Sequence, residues 1–401
     1  MAATLADAGE RGGGQRGRRK SPRPIWLRVA IMALVILYAL LFGEMFLRLM
    51  KPQALIPRYV TGGPEGVRAN MPGVEFRQWT PEVDVMLRYN MAGMRDDRPP
   101  PPLEKAPSEC RIALLGDSYF VGFESSFENS FANRVEEELA RRGTPCRVLN
   151  FAVSGFGHAE MLATLESRVR PWAPDLMLVS VHSTDGFDNL RANLFQPGPQ
   201  GLEPTGRSFL PGVAISDRLN AFWIYRWAQE NSHLYSAVRE WAGGMGKRLL
   251  AIARVRAAGN EAEDAPPEAE ETANGASAET PRYVASQALN QALVLQIARE
   301  AEVMGSRMML FEIPMGPNRR FYSGPARHLL GDAVLGQVPY ASPLDTFLTM
   351  RSPDVQLYME KGHRHWTPLG NKVAARVAAQ AITAQQLLPQ VDTPSRYAPS
   401  Q

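Results

Sequence analysis

The longest apolar stretch in the 401-residue chain lies near its start. From residue 25 to 50 it reads IWLRVAIMALVILYALLFGEMFLRLM, with no charge between Val29 and Gly43. With its flanks this reaches the roughly 20 residues that a helix needs to cross a bilayer. Beyond it the pattern changes. Apolar runs of strand length at 112–115, 148–153, 176–181 and 308–313 alternate with segments of helical period. After the first run, Phe127, Phe131, Val135 and Leu139 recur every four residues and predict one apolar helix face. Helices are also predicted over 158–169, 219–241, 283–303 and 371–388. Strand–helix–strand alternation at this spacing predicts an α/β domain with a parallel sheet and crossover helices. Val83 to Asn90 alternates imperfectly and reads as a further strand. The run 98–102, Arg-Pro-Pro-Pro-Pro, reads as a stiff extended linker.

Charge assigns the ends. Residues 1–24 carry Arg11, Arg16, Arg18, Arg19, Lys20 and Arg23 against Asp7 and Glu10, a net +4, while the whole chain is only +3. The basic excess therefore sits in one short tail, and the rest gives no ground for nucleic-acid binding. Basic residues before an apolar span predict a cytoplasmic N-terminus, with everything after residue 50 outside the cytoplasm. A cleaved signal peptide would have a shorter apolar core and a small-x-small site. Phe42-Gly-Glu-Met-Phe-Leu47 follows instead, which favours an uncleaved single-pass anchor in the inner (cytoplasmic) membrane. The expected layout is a cytoplasmic tail (1–24), a transmembrane anchor (25–50), a juxtamembrane segment with the Pro-rich linker (51–107), the α/β domain (108–390) and a short tail (391–401). Residues 257–281 lack Lys and Arg and are rich in Glu, Ala and Pro. They read as a disordered insertion within that domain.

The two cysteines, Cys110 and Cys146, each precede an apolar strand run. If those strands are neighbours in a parallel sheet, an oxidising periplasm permits a disulfide between them. The alternative is two unpaired small apolar residues.

Candidate chemistry gathers at strand ends. The first strand runs into Gly116-Asp117-Ser118, which places a serine hydroxyl where a buried strand emerges from the sheet. Alone this tripeptide is also a plain turn with an N-capping Ser or Asp. The second strand leads to Ser154-Gly155, and the third to Thr184-Asp185. His365 precedes the last helix. In open parallel sheets ligands bind at these carboxyl ends.

These blocks, in this order, resemble the SGNH/GDSL hydrolase family, and in particular its bacterial membrane-anchored members. The resemblance runs from about Tyr89 to Leu388. It rests on Asn90-Met-Ala-Gly-Met-Arg95, Leu115-Gly-Asp-Ser-Tyr-Phe-Val-Gly122, Leu149-Asn-Phe-Ala-Val-Ser-Gly155, Pro174-Asp-Leu-Met-Leu-Val179, Asp185-Gly-Phe-Asp-Asn189 and His365-Trp-Thr-Pro-Leu-Gly370. It implies a flavodoxin-like three-layer α/β/α fold. It also implies Ser118 as nucleophile, His365 as general base, and the backbone N–H groups of Ser118 and Gly155 as oxyanion donors.

Two positions depart from the family. Its Asn-Asp pair is here Thr184-Asp185, so a shorter hydroxyl would have to serve as oxyanion donor. The family's Asp two or three residues before the catalytic His is replaced by His363 and Gly362. The site is then expected to run as a Ser118–His365 dyad, with Glu360 as a substitute carboxylate and Asp117, Asp185 and His363 as supporting positions. His363 and His365 lack a third ligand nearby, so no metal site is read, and no cofactor is implied. The Trp-bearing stretch 219–241 reads as core in preference to a carbohydrate platform, since amphipathic spacing alone explains it.

The resulting expectation is a membrane-anchored, extracytoplasmic serine esterase or acyltransferase. An O-acylated, above all O-acetylated, cell-surface glycan or similar ester is its expected substrate. The alternative is a catalytically weakened binding or assembly module working with cell-envelope partners in a polysaccharide or secretion complex.

Overall fold

Five parallel strands form the sheet on which the domain is built. The computed structural model describes residues 24–199, 201–243, 245, 281–318 and 321–389. Helix α1 (Ile25–Met50) carries no charge between Val29 and Gly43, and none of its residues is buried. Two antiparallel hairpins follow, β1 (Val60–Gly62) with β2 (Arg68–Asn70), and β3 (Glu75–Trp79) with β4 (Asp84–Arg88). The domain then runs through β5 (Arg111–Leu115), α2 (Ser118–Val121), α3 (Phe131–Arg141), β6 (Arg147–Asn150), α4 (His158–Thr164), β7 (Leu176–Val181) and α5 (Asp185–Ala192). A hairpin of β8 (Phe195–Gly198) and β9 (Gly201–Pro204) leads to α6 (Val213–Asn220), α7 (Trp223–Asn231) and a helix α8 over 233–243. Last come α9 (Pro281–Val303), β10 (Arg307–Glu312), the hairpin β11 (Met315–Asn318) with β12 (Phe321–Ser323), α10 (Ala326–Leu335), β13 (Tyr340–Ala341), α11 (Leu344–Thr349) and α12 (Pro368–Ala384).

The sheet order is β13-β10-β7-β5-β6, all parallel. Counted in chain order this is 2-1-3-4-5, the doubly wound flavodoxin-like arrangement. Strand alternation divides the core in two. Ile112 and Leu114 face one layer with Phe131, Val135 and Leu139 of α3 and Ala378 and Ile382 of α12. Ala113 and Leu115 face the other layer with Met161 of α4 and Leu293 and Ile297 of α9. Each strand is buried on both faces, which is why it reads as a continuous apolar run.

Several local expectations change. The helix expected from Phe127 begins at Phe131, capped by Ser130, after one tight turn. The segment after β7, for which no helix is predicted above, is helix α5 from Asp185, with Asp185 and Asp188 in the first turn where the helix dipole favours them. The Trp-bearing stretch is not core: Trp223, Trp227 and Trp241 are all exposed. The insertion expected at 257–281 lies outside the described residues up to 280, as do both tails apart from Pro24.

The stretch expected as a juxtamembrane segment and linker is seated on the domain. Asn90 Oδ1 accepts the Ala92 and Met94 N–H groups in a tight turn. The Arg95 N–H then donates to the Asn150 carbonyl at the end of β6. The Pro-rich run is gripped by the buried Arg111 guanidinium, which donates to the carbonyls of Pro102 and Leu103. Cys110 and Cys146 are bonded to each other at the start of neighbouring strands, with a Cα–Cα distance of 4.5 Å and Arg111 paired to Arg147 in the register.

Candidate active site

The carboxyl ends of β5, β6 and β7 and the loop before α12 converge on Ser118. Strand β5 is fully buried and leaves the sheet at Gly116. Asp117 then caps the short helix α2, its Oδ1 accepting from the Tyr119 N–H at 2.9 Å. Ser118 is thus held at the first turn of a helix directly after a rigid strand. Its Oγ lies 2.7 Å from Nε2 of His365. His365 arrives on the loop before α12, which begins behind the Thr367 cap, Thr367 Oγ1 accepting from the Gly370 N–H at 3.1 Å. Trp366 is buried beside it and anchors that loop in the core.

Behind the imidazole stands a carboxylate that the sequence did not single out. Glu124 Oε2 lies 3.1 Å from His365 Nδ1. The same carboxylate accepts the His365 backbone N–H at 3.3 Å and the His363 N–H at 2.9 Å. Glu124 is 1% exposed. Burial pushes its carboxyl up, but the hydrogen bond and charge of His365 and the His363 N–H outweigh that, and the net shift is downward. The residue sits at φ 61°, a left-handed conformation that costs a non-glycine residue energy and recurs at functional sites. That turn, just past α2, aims the side chain across to the histidine loop.

This corrects the dyad expectation. Glu360 does not back the ring; its N–H donates to Glu82 at 2.7 Å, on the exposed side of the loop. His363 contributes its backbone N–H to Glu124, and its ring lies tilted by 48° to that of His365, with centroids 6.2 Å apart. Nothing local in the sequence marks Glu124. The only signal was Gly362, a missing side chain where the family has an acid.

Gly155 sits at φ 72° in the loop after β6, in the left-handed region that favours glycine. Its carbonyl accepts from the Arg68 guanidinium at 3.0 Å, and the neighbouring Ala152 carbonyl accepts from Asn70 Nδ2 at 2.9 Å. Hairpin β1–β2 therefore braces the loop from behind. Thr184 is committed elsewhere. Its hydroxyl lies 3.1 Å from His182 Nδ1, and its carbonyl accepts the Asp188 N–H at 2.9 Å. His182 Nδ1 also faces Asp117 Oδ2 at 3.2 Å. Asp185 is buried; its Oδ2 accepts the His182 N–H at 2.7 Å, and burial pushes its carboxyl well up. Asp117 and Asp185 thus shape the ends of β5 and β7. His158, given no role on sequence grounds, is a buried structural residue whose ring nitrogens meet Asn290 Oδ1 at 2.8 Å and the Ser180 carbonyl at 3.0 Å.

A nucleophile, a base in hydrogen-bond reach of it and a carboxylate orienting that base is the geometry of acyl-transfer sites. Sheet order, sequence blocks and this constellation together give the chain its resemblance to the GDSL/SGNH serine hydrolases. No family model matches the chain. A curated arylesterase from Vibrio mimicus is 29% identical over 77 residues, which is 19% of this chain and 38% of the relative, so the match spans about two-fifths of that protein. Among solved structures, TesA is 15% identical, with 68% of this chain and 98% of that one covered and a TM-score of 0.36. An acetyl-xylooligosaccharide esterase from Geobacillus stands at 14%, 69%, 96% and 0.34 in the same terms. A two-domain esterase active on acetylated mannans stands at 10%, 69%, 49% and 0.37.

Proposed function

We propose that the protein is a membrane-anchored serine esterase or acyltransferase whose catalytic domain works outside the cytoplasm on an O-acylated, above all O-acetylated, cell-surface glycan or similar ester. The observation that carries the catalytic part is the Ser118 Oγ to His365 Nε2 contact of 2.7 Å with Glu124 behind the ring. In this reading His365 takes the Ser118 proton as Oγ bonds to the ester carbonyl carbon. The carbonyl oxygen becomes an oxyanion held by the N–H groups of Ser118 and Gly155. Collapse breaks the ester C–O bond, and His365 returns the proton to the leaving alcohol. Water then releases the acyl group as acid, or an acceptor hydroxyl takes it as a new ester. Glu124 holds the ring tautomer and stabilises the imidazolium formed between the two steps.

The location rests on α1, which is long and apolar enough to span a bilayer, and on the basic residues before it. The Cys110–Cys146 bond supports an oxidising compartment. Ester chemistry on a domain tethered outside the membrane favours a surface glycan as substrate. The binding-module alternative drew on the missing acid at 362–363, and the Glu124 carboxylate weighs against it.

The test uses the full chain in detergent, with a fluorophosphonate probe and an acetyl ester. Labelling and turnover that both vanish in Ser118→Ala are expected. A wild type that neither labels nor turns over would overturn the reading.

A further inference from the structure

Outside the site, the most unusual surface lies on α6, α7 and α8. On α7, Trp223, Ile224 and Trp227 are 69%, 56% and 52% exposed, and Trp241 on α8 is 66% exposed. Positions 223, 224 and 227 follow helical spacing and form one outward stripe. Single exposed apolar residues need no explanation, but several exposed large apolar side chains on neighbouring turns of one helix do.

These helices are fixed to the end of α1. Glu44 Oε1 accepts the His233 N–H at 3.1 Å, and Oε2 accepts the Leu234 N–H at 2.9 Å and the Ser232 hydroxyl at 2.8 Å. Arg48 donates to Glu44 at 2.6 Å, and its guanidinium reaches the Asn231 carbonyl. From the other side, the Gln53 N–H donates to His233 Nδ1 at 2.9 Å, and the Trp79 ring meets that imidazole edge-on at 5.2 Å. Arg58 pairs with Asp217 of α6. The α7–α8 junction is therefore held where the apolar length of α1 gives way to Glu44, Arg48 and Lys51.

We infer that α6, α7 and α8 lie in the interface of the same bilayer that α1 crosses, with Trp223, Ile224, Trp227 and Trp241 at the boundary between headgroups and acyl chains. This rests on reading α1 as a membrane span. The occupant we assign is lipid because the junction of α7 and α8 is tied to Glu44 at the end of the apolar length of α1, where a Cβ on Gly43 would lie 3.6 Å from Leu234 of α8. Indoles favour that depth, with an apolar body and one N–H to hydrate. Amphipathic helices of this kind sit roughly 5–10 Å into the boundary. Arg239 on α8 donates to the Ile56 carbonyl at 3.1 Å, which ties α8 to the segment that enters β1.

The experiment uses the full-length protein in phosphatidylcholine–phosphatidylglycerol vesicles. Single variants Trp223→Cys, Trp227→Cys and Trp241→Cys carry a fluorescent thiol label, with Leu37→Cys in α1 and Arg142→Cys at the distal end of α3 as references. Shallow-doxyl lipid is expected to quench the three platform labels several-fold more than the Arg142→Cys label, and deep-doxyl lipid to quench Leu37→Cys. A quenched Leu37→Cys with platform labels open to aqueous iodide overturns the platform alone. An unquenched Leu37→Cys overturns the span and the platform with it. Platform labels shielded from both lipid and iodide assign the patch to a second copy of the chain and overturn the lipid assignment.

Discussion

A Cβ atom placed on Gly362 would lie 1.6 Å from Glu124 Oε1. The carboxylate that orients His365 thus occupies the volume that a side chain three residues before the histidine would need. An acid on the nucleophile's side of the site and a glycine on the histidine's side are two halves of one arrangement.

Glu124→Gln is expected to keep the fold while lowering kcat by about 100-fold or more, since the amide cannot stabilise the imidazolium. Gly362→Ala, which drives a methyl group into the carboxylate, is expected to lower kcat as well. The double variant Glu124→Ala with Gly362→Asp, which moves the acid to the other half, is expected to recover part of the loss relative to Glu124→Ala alone. Turnover of an acetyl ester measures all four, with near-ultraviolet circular dichroism as the check on folding. Unchanged kcat in Glu124→Gln would remove the carboxylate from the mechanism.

Thr184 gives a prediction of the opposite kind. Its hydroxyl is engaged with His182 Nδ1 at 3.1 Å. Loss of a true oxyanion donor costs about 100- to 1000-fold in turnover. Thr184→Val is expected to cost less than about 10-fold, well below that mark. A loss in the larger range would return Thr184 to the oxyanion site.

Glu160 predicts a pH signature. It is 1% exposed and accepts the Gly157 N–H at 3.0 Å. Burial, only partly offset by that N–H and by Arg68, pushes its carboxyl from 4.5 up to about 7. The folded state then keeps a proton that the unfolded chain gives up between those values. Stability falls as pH rises through that window, by about 3 kcal/mol once complete. Glu160→Gln removes the penalty, so its melting temperature is expected to exceed wild type at pH 8 and to match it near pH 4.5. His158 runs the other way: burial lowers it to about 4, and its contribution is lost as pH falls from 6.5 towards 4. It is present in both proteins and cancels from the difference. Equal melting offsets at the two pH values would show that Glu160 ionises normally.

The Cys110–Cys146 bond closes a loop with a sequence separation of 36. Chain-entropy reasoning gives it about 4 kcal/mol of stabilisation. Cys110→Ser with Cys146→Ser is expected to lower the denaturant midpoint strongly while leaving kcat of the folded fraction unchanged, because both residues lie at the start of their strands, away from Ser118. A matching fall in kcat would tie the bond to the site.

Much of this architecture was legible in the sequence because buried parallel strands advertise themselves. The runs at 112–115, 148–153, 176–181 and 308–313 correspond to β5, β6, β7 and β10, and the order of polar blocks at their ends pointed to Ser118 and His365. The two-residue strand β13 was too short to show any period. Glu124 stayed hidden because its partner lies 241 positions away and its aim depends on a left-handed turn that local pattern does not encode. The tryptophans of α7 misled for a related reason. Amphipathic spacing reports a stripe, and burial in protein and burial in lipid leave the same stripe.

Hairpin β1–β2 reaches Gly155 through Arg68, and β3 reaches His233 through Trp79 and the Glu124 N–H through Gln78 Oε1. Stretched out, residues 52–97 would let the domain roam up to about 150 Å from the end of α1. Folded into hairpins, they give that reach up. On the proposed reading of α1 as a membrane span, the domain would not sweep the surrounding space on a leash but work at one height above the bilayer, and whatever carries the ester would have to come to that height.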